Sequence, residues 1–285
     1  MKPSVLLAAA VLAAGPSLAH GQTWRTLDVS RQLHDTNELH VNVQYGAGRF
    51  ELRAATDPVL YAMRLRYNED NTTPLHEFDP EARTLRIGVD NASTGWSGRH
   101  SDNDDKAGMR LALAPNVPLD LSLDLGATEA NADFGGLSVR SLRVQSGAAD
   151  ETMDFSTPNG ARLGTMAIDI GAASFTLRHI ANANASSLTL NGGVGAVYLD
   201  FGGTWTGDMD AYVKVALGKV ALTIPREVGV RLALDRFLTS FDNDGLEKRD
   251  GYYYSDNWDT AKHHLRIHVE TTLGTVSIDR SGGTP

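Results

Sequence analysis

Residues 250–268 read DGYYYSDNWDTAKHHLRIH and gather three tyrosines, one tryptophan and three histidines. Such a set could do two kinds of chemistry. Tyr252, Tyr253, Tyr254 and Trp258, with Trp205 of the earlier GGTWTGD, could offer aromatic faces on which sugar rings stack, beside Asp and Asn side chains for the hydroxyls. The same large side chains could instead cover the open end of a core. His263, His264 and His268 are metal-ligand types. On a strand, though, His264 and His268 stand about 13 Å apart at the Cα. That is too far for one tetrahedral ion without a third element, and Arg266 lies between them. The spacing predicts a polar strand face of His264, Arg266 and His268, with Leu265, Ile267 and Val269 turned the other way.

Other candidates weaken in the same manner. Ser97, His100 and Asp102 in WSGRHSDNDD have the residue types of a hydrolase triad, but six residues of one loop cannot hold the separate orientations a triad needs. Phe241–Glu247, FDNDGLE, resembles a calcium loop at Asp242, Asp244 and Gly245. Its twelfth position would be Gly251 where a bidentate glutamate is required, so a turn is the better reading. Asp133, Asp154 and Asp200 each precede a phenylalanine (Phe134, Phe155, Phe201). That recurrence predicts buried rings and solvated acids. No catalytic, cofactor-binding or metal-ligating set is assigned. The sequons at Asn71, Asn91 and Asn184 matter only in a eukaryotic secretory pathway.

The elements that must position these residues are strands. Leu39–Ala55, Val59–Asn68 and Thr84–Asp90 alternate apolar and polar side chains. The stretch 68–82 carries prolines, Asp and Asn and reads as turns. Residues 91–108, NASTGWSGRHSDNDDKAG, have no period and read as a linker. Beyond it the chain repeats. LDLSLDLG ends at Gly126, SLRVQSG at Gly147, TMAIDIG at Gly171, LTLNGGVG at Gly195 and AYVKVALG at Gly218, each followed by a second short strand. LRIHVETTLG and TVSIDR repeat the unit once more, after an insertion at 229–262. A period of about 21–24 residues with two short strands per unit is the mark of a β-solenoid, in which stacked units share a core that none could close alone. A β-sandwich of the same strands is the alternative. The expected organisation is a signal peptide at 1–19, a β module at 20–90, the linker, and a repeat domain at 109–285.

Lys2 followed by Val5–Ala14, VLLAAAVLAA, and a small-residue SLA before His20 form a secretory signal pattern. It is too short to span a bilayer, and no later stretch is long and apolar enough to do so. The 285 residues carry a formal charge of −9, which becomes −10 once Lys2 is cut away. That balance disfavours nucleic acid. The chain has no cysteine, which rules out thiol nucleophiles, thiolate metal sites and a lipid-bearing lipoprotein cysteine.

VNVQYGAGRFELRAA with LRYNED and TLRIGVD resembles the N-terminal domain of toast-rack proteins. LAPNVPLDLSLDLGATEANADFGG and the repeats after it resemble the β-repeat region of the same family. The segment from GKVALTIPREVGVRLALD to LGTVSID is similar to the C-terminal domain of LiaF-like cell-wall-stress response proteins, a group that includes adhesin-like proteins of β-helical type. The resemblance implies an all-β fold and no carried-over site residue. LiaF-like proteins are usually anchored by helices, which a cleavable signal replaces here. The expectation is an exported, non-enzymatic interaction protein of the bacterial envelope, periplasmic or extracellular, with an envelope protein or glycan as partner and no cofactor. The alternatives are a carbohydrate-active β-helix enzyme and a glycan-binding module built on the C-terminal aromatics.

Overall fold

Alternation makes the strands, and the register between strands makes the core. The computed structural model describes residues 23–90, 107–148 and 150–280. The described residues form a sheet of sixteen strands and one 3-10 turn at Ile180–Ala183, so the fold is all-β. The strands are β1 (Trp24–Gln32), β2 (Leu39–Ala54), β3 (Val59–Asn68), β4 (Thr73–Asp79), β5 (Thr84–Asp90), β6 (Gly108–Leu113), β7 (Pro118–Asp133) and β8 (Ser138–Ser146). They continue with β9 (Asp150–Asp154), β10 (Leu163–Arg178), β11 (Ala185–Asp200), β12 (Met209–Thr223), β13 (Gly229–Asp242), β14 (Leu246–Arg249), β15 (Tyr252–Ser255) and β16 (His264–Asp279).

The path from β2 through β7, β8 and β9, β10, β11, β12 and β16 to β13 is parallel throughout, while β1–β3, β3–β6, β4–β5, β13–β15 and β14–β15 pair antiparallel. β2 pairs with β7 from Leu39↔Leu119 to Leu52↔Ala132. β8 and β9 continue the ladder to the two halves of β10, which is followed by β11 and β12. Every second position points inward, and like positions stack. Val43, Leu123, Val144, Ile168, Leu190, Val213, Val269 and Leu234 form one such column. All but Leu234 are fully buried. Each such burial contributes about 1.5–3 kcal/mol, and no single strand could bury that face alone.

The structure differs from the sequence reading at three places. The two short strands expected around each glycine are one continuous 16-residue strand in β7, β10, β11 and β16, because the bend leaves the ladder unbroken. The stretch 68–82, read as turns, contains β4, an edge strand paired only with β5. Pro74 is tolerated there because an edge leaves its missing N–H uncalled for. Finally, Gly171 stacks on Gly193, two residues before the Gly195 chosen by spacing alone, and Gly195 begins a second column with Gly218 and Gly274. Gly218 and Gly274 have φ of 138° and 141°. A Cβ on either would overlap the carbonyl oxygen of the glycine on the neighbouring strand.

The C-terminal end is not assembled in chain order. β16 lies between β12 and β13, parallel to both. Residues 229–242, inside the stretch read as an insertion, form β13, and the β14–β15 hairpin pairs with it only at Arg231↔Tyr254 and Leu232↔Tyr253.

Candidate functional site

The hairpin places the aromatic residues. Alternation along β15 sends Tyr252 and Tyr254 to one side and Tyr253 to the other. Tyr253 packs on Phe241 at 5.0 Å between ring centroids, against the core. On the opposite side Tyr252 meets Tyr254 at 6.3 Å, Tyr254 meets Trp258 at 5.6 Å and Trp258 meets His264 at 4.8 Å, all edge to face. Arg231 lies over Tyr252 at 5.3 Å and over Trp258 at 5.8 Å, and Arg249 over Tyr254 at 4.7 Å. These cation–π contacts occupy ring faces. Tyr252, 41 % exposed, is the most open ring of the four, and the Arg231 guanidinium beside it is a ready hydrogen-bond donor.

Trp205 stands apart, on the connection from β11 to β12. Its Nε1 donates to the Phe201 carbonyl at 3.0 Å. It lines a small groove of about 180 Å3 with Arg162 and Asp208.

The three histidines are not brought together. His264 donates from Nε2 to the Trp258 carbonyl at 2.9 Å and faces Asp208 through Nδ1 at 3.5 Å. His268 Nε2 meets Asp235 at 2.8 Å and its ring abuts Tyr212. Arg266 between them bonds Asp210 at 2.6 Å and Asp208 at 3.4 Å. Burial works to raise the Asp208 carboxyl, but the His264 backbone N–H and the charges of His264 and Arg266 outweigh it and hold it below its ordinary value.

The remaining candidates have structural partners. Phe134, Phe155 and Phe201 are fully buried, and Phe134 stacks 5.1 Å from Phe155. Asp133 and Asp200 each accept a backbone N–H two residues on, from Gly135 and Gly202, at 2.8 Å. Asp154 meets His179 Nδ1 at 2.7 Å. In FDNDGLE, Gly245 has φ of 69° and Asn243 closes the turn on Leu246. The Asp244 carboxylate accepts the Arg280 N–H. Ser97, His100 and Asp102 lie outside the described residues. Among the described residues no group of three or more His, Asp or Glu is placed to hold a metal ion.

A furrow escaped the sequence reading. It runs across the strands over the backbone of Gly126, Gly147, Gly171 and Gly193, with a volume of about 820 Å3. Asp124, Gln145, Asp169, Asn191 and Lys214 stand along it, one per strand and in register. Asn191 donates to Asp169 at 2.8 Å, and Lys214 pairs with Glu270 at 2.7 Å. The hydrogen bonds of Lys214 and Tyr212 hold the Glu270 carboxyl below its ordinary value. The signal was available as a polar residue two positions before each glycine of the Gly126–Gly193 column.

Residues 20–178 match the family model described as the N-terminal domain of toast_rack, DUF2154. No curated protein matches the chain. Among solved structures, a candidate cell adhesion protein from Clostridium sporogenes ATCC 15579 is 13% identical, with 91% of this chain and 100% of that one covered and a TM-score of 0.46. A candidate adhesin from Parabacteroides merdae ATCC 43184 is 12% identical over 92% of this chain and 98% of the other, with a TM-score of 0.38. A candidate adhesin from Bacteroides fragilis NCTC 9343 is 10% identical over 90% and 98%, with a TM-score of 0.33.

Proposed function

The chain belongs to the toast-rack family, and on that premise we propose that it works by binding and not by turnover, as an exported, adhesin-like interaction protein of the bacterial envelope. The observation that carries this reading is the parallel ladder from β2 to β12, in constant register but for one shift at Leu119/Asp120 between β7 and β8. Described as a β-solenoid, this ladder repeats each outward position at the strand spacing, about 4.8 Å. It therefore presents rows of like chemistry along one axis, a form suited to extended partners. Outward charges are paired across strands, as Arg49 is to Glu129 and Arg266 to Asp210. Export is supported by the signal pattern at 1–19. None of the helical structure described is long and apolar enough to cross a membrane. The test is saturable retention of the labelled chain on isolated bacterial envelopes. Retention that does not saturate, or that an equal mass of heat-denatured chain reproduces, overturns the reading.

A glycan is the favoured partner class, for one reason. The furrow sets carboxylate, amide and ammonium groups along a floor of glycine backbone with Leu125, Ser146 and Ile170 beside it, and these are the groups that bind sugar hydroxyls. The Tyr252–Tyr254–Trp258 side of the hairpin is a second surface of the same kind. A glycan array comparing the native chain with Asp169→Ala and Tyr252→Ala separates the two. Loss with Asp169→Ala assigns the furrow, loss with Tyr252→Ala assigns the hairpin, and no binding by any of the three leaves a protein partner. Tyr252 is the informative tyrosine, since replacing Tyr253 would disturb the packing on Phe241.

A further inference from the structure

Four edges of the sheet have no further strand among the described residues: β1, β4, β14, and β13 beyond Leu232. Three of them are blunted in the usual manner. β1 carries Arg25, Asp28 and Arg31, β4 carries Pro74 and Glu77, and β14 is four residues long and reads LEKR. The fourth is different. β13 continues along β16 to Asp242, so its other edge is open through Arg236–Asp242, RFLTSFD. Phe237 and Leu238 are 77 % and 63 % exposed there. Leu238 is in register with Leu273, Leu273 with Leu217 and Leu217 with Val194, and all four are exposed. An apolar stripe thus crosses four strands and ends at an unpaired backbone edge. Monomeric proteins rarely leave such a surface uncovered.

We propose that this edge is a self-association surface, on which two copies of the chain join β13 to β13 about a two-fold axis. Identical edges related by a two-fold run antiparallel. Of the possible registers, the one centred on Thr239 matches charge. It sets Arg236 of each copy opposite Asp242 of the other. Arg236 now contacts only the Thr239 carbonyl and the Phe241 ring, and neither Arg236 nor Asp242 is in an ion pair among the described residues. Pairing also joins the two apolar stripes end to end. A lipid surface could cover Phe237 and Leu238 but could not satisfy the open N–H and C=O groups of the edge. A second strand does both.

The absence of cysteine makes the register directly testable. In antiparallel strands residues that face each other have Cα atoms about 4.5–5.5 Å apart, within disulfide reach. Thr239→Cys is expected to give a covalent dimer under mild oxidation, while Glu77→Cys on the β4 edge stays monomeric. By sedimentation the native chain is a dimer, Arg236→Asp weakens it at least about tenfold, and Arg236→Asp combined with Asp242→Arg restores it. Circular dichroism of each variant, matched to the native spectrum, separates lost pairing from lost fold. A native chain that stays monomeric at about 100 µM, or a double variant that fails to recover, overturns the proposal. A monomer that binds anionic phospholipid vesicles through Phe237 and Leu238 also overturns it and gives the stripe to lipid.

Discussion

Glu151 occupies an inward position at which the other strands carry apolar groups. Its column runs Phe50, Ala130, Glu151, Phe175, Val197, Val220, Val276 and Phe241. The side chain is 2 % exposed. Ser146 Oγ donates to its Oε1 at 2.7 Å, while Oε2 has no partner among the described residues. Burial pushes the carboxyl above its ordinary value, and the Ser146 bond only partly opposes it. The folded-state pKa is thus above that of the unfolded chain. The penalty is absent at pH below the ordinary carboxylate range and grows as pH rises towards the raised value. Glu151→Gln keeps a polar group for Ser146 and removes the charge. It should raise the melting temperature at pH 8 relative to the native chain and leave the two close at pH 4. An equal difference at both pH values would contradict this. Asn159 is the opposite case, a buried polar group fully used. It accepts the Val139 N–H at 2.7 Å and shares its amide hydrogens among the carbonyls of Val139, Ala161 and Ala183. Asn159→Ala leaves those buried groups unpaired and should cost about 2–4 kcal/mol in denaturant unfolding.

At the scale of the element, the corner and the last strand decide whether the ladder forms. Gly218 combines a φ of 138° with a carbonyl oxygen where a side chain would begin. Gly218→Ala should therefore cost at least about 2 kcal/mol, whereas Gly207→Ala, in open space, should change stability little. β16 is the sole long partner of β13, paired from Gly229↔His264 to Asp242↔Ser277. A chain ended at Lys262 should show rapid protease cleavage between 225 and 262 and loss of protection in β12. Direct docking of β13 on β12 with native protection would contradict that. These elements also mark how far the sequence could be read. Strands with alternating side chains, such as β2 and β16, were legible, because one face of each is buried. β4 was not, because Pro74 signals a turn until a neighbour shows it to be an edge. The place of β16 between β12 and β13 was hidden as well, since repeat spacing records chain order and not order in space. The aromatic cluster was legible as composition only. Of its cations, Arg231 comes from β13, which no local pattern links to β15, while Arg249 faces Tyr252 across the Asp250–Gly251 turn, a hairpin signal present in the sequence.

For the whole molecule, the rows and the charge define what can approach. A formal charge of −9 repels polyanions. Within that field the furrow is mixed in sign, with Asp124 at one end, Asp169 on the middle strand and Lys214 at the other end. Asp124 and Asp169 stand two strands apart along it, about 9–10 Å at the backbone, which makes them the pair to substitute in any test for turnover. The most direct measurement is turnover: purified chain incubated with isolated cell-wall polysaccharide, with released reducing ends followed over time. No release above the heat-denatured control is expected, while the same sample binds the polymer. Sustained release that Asp124→Asn or Asp169→Asn abolishes would show that the chain is an enzyme.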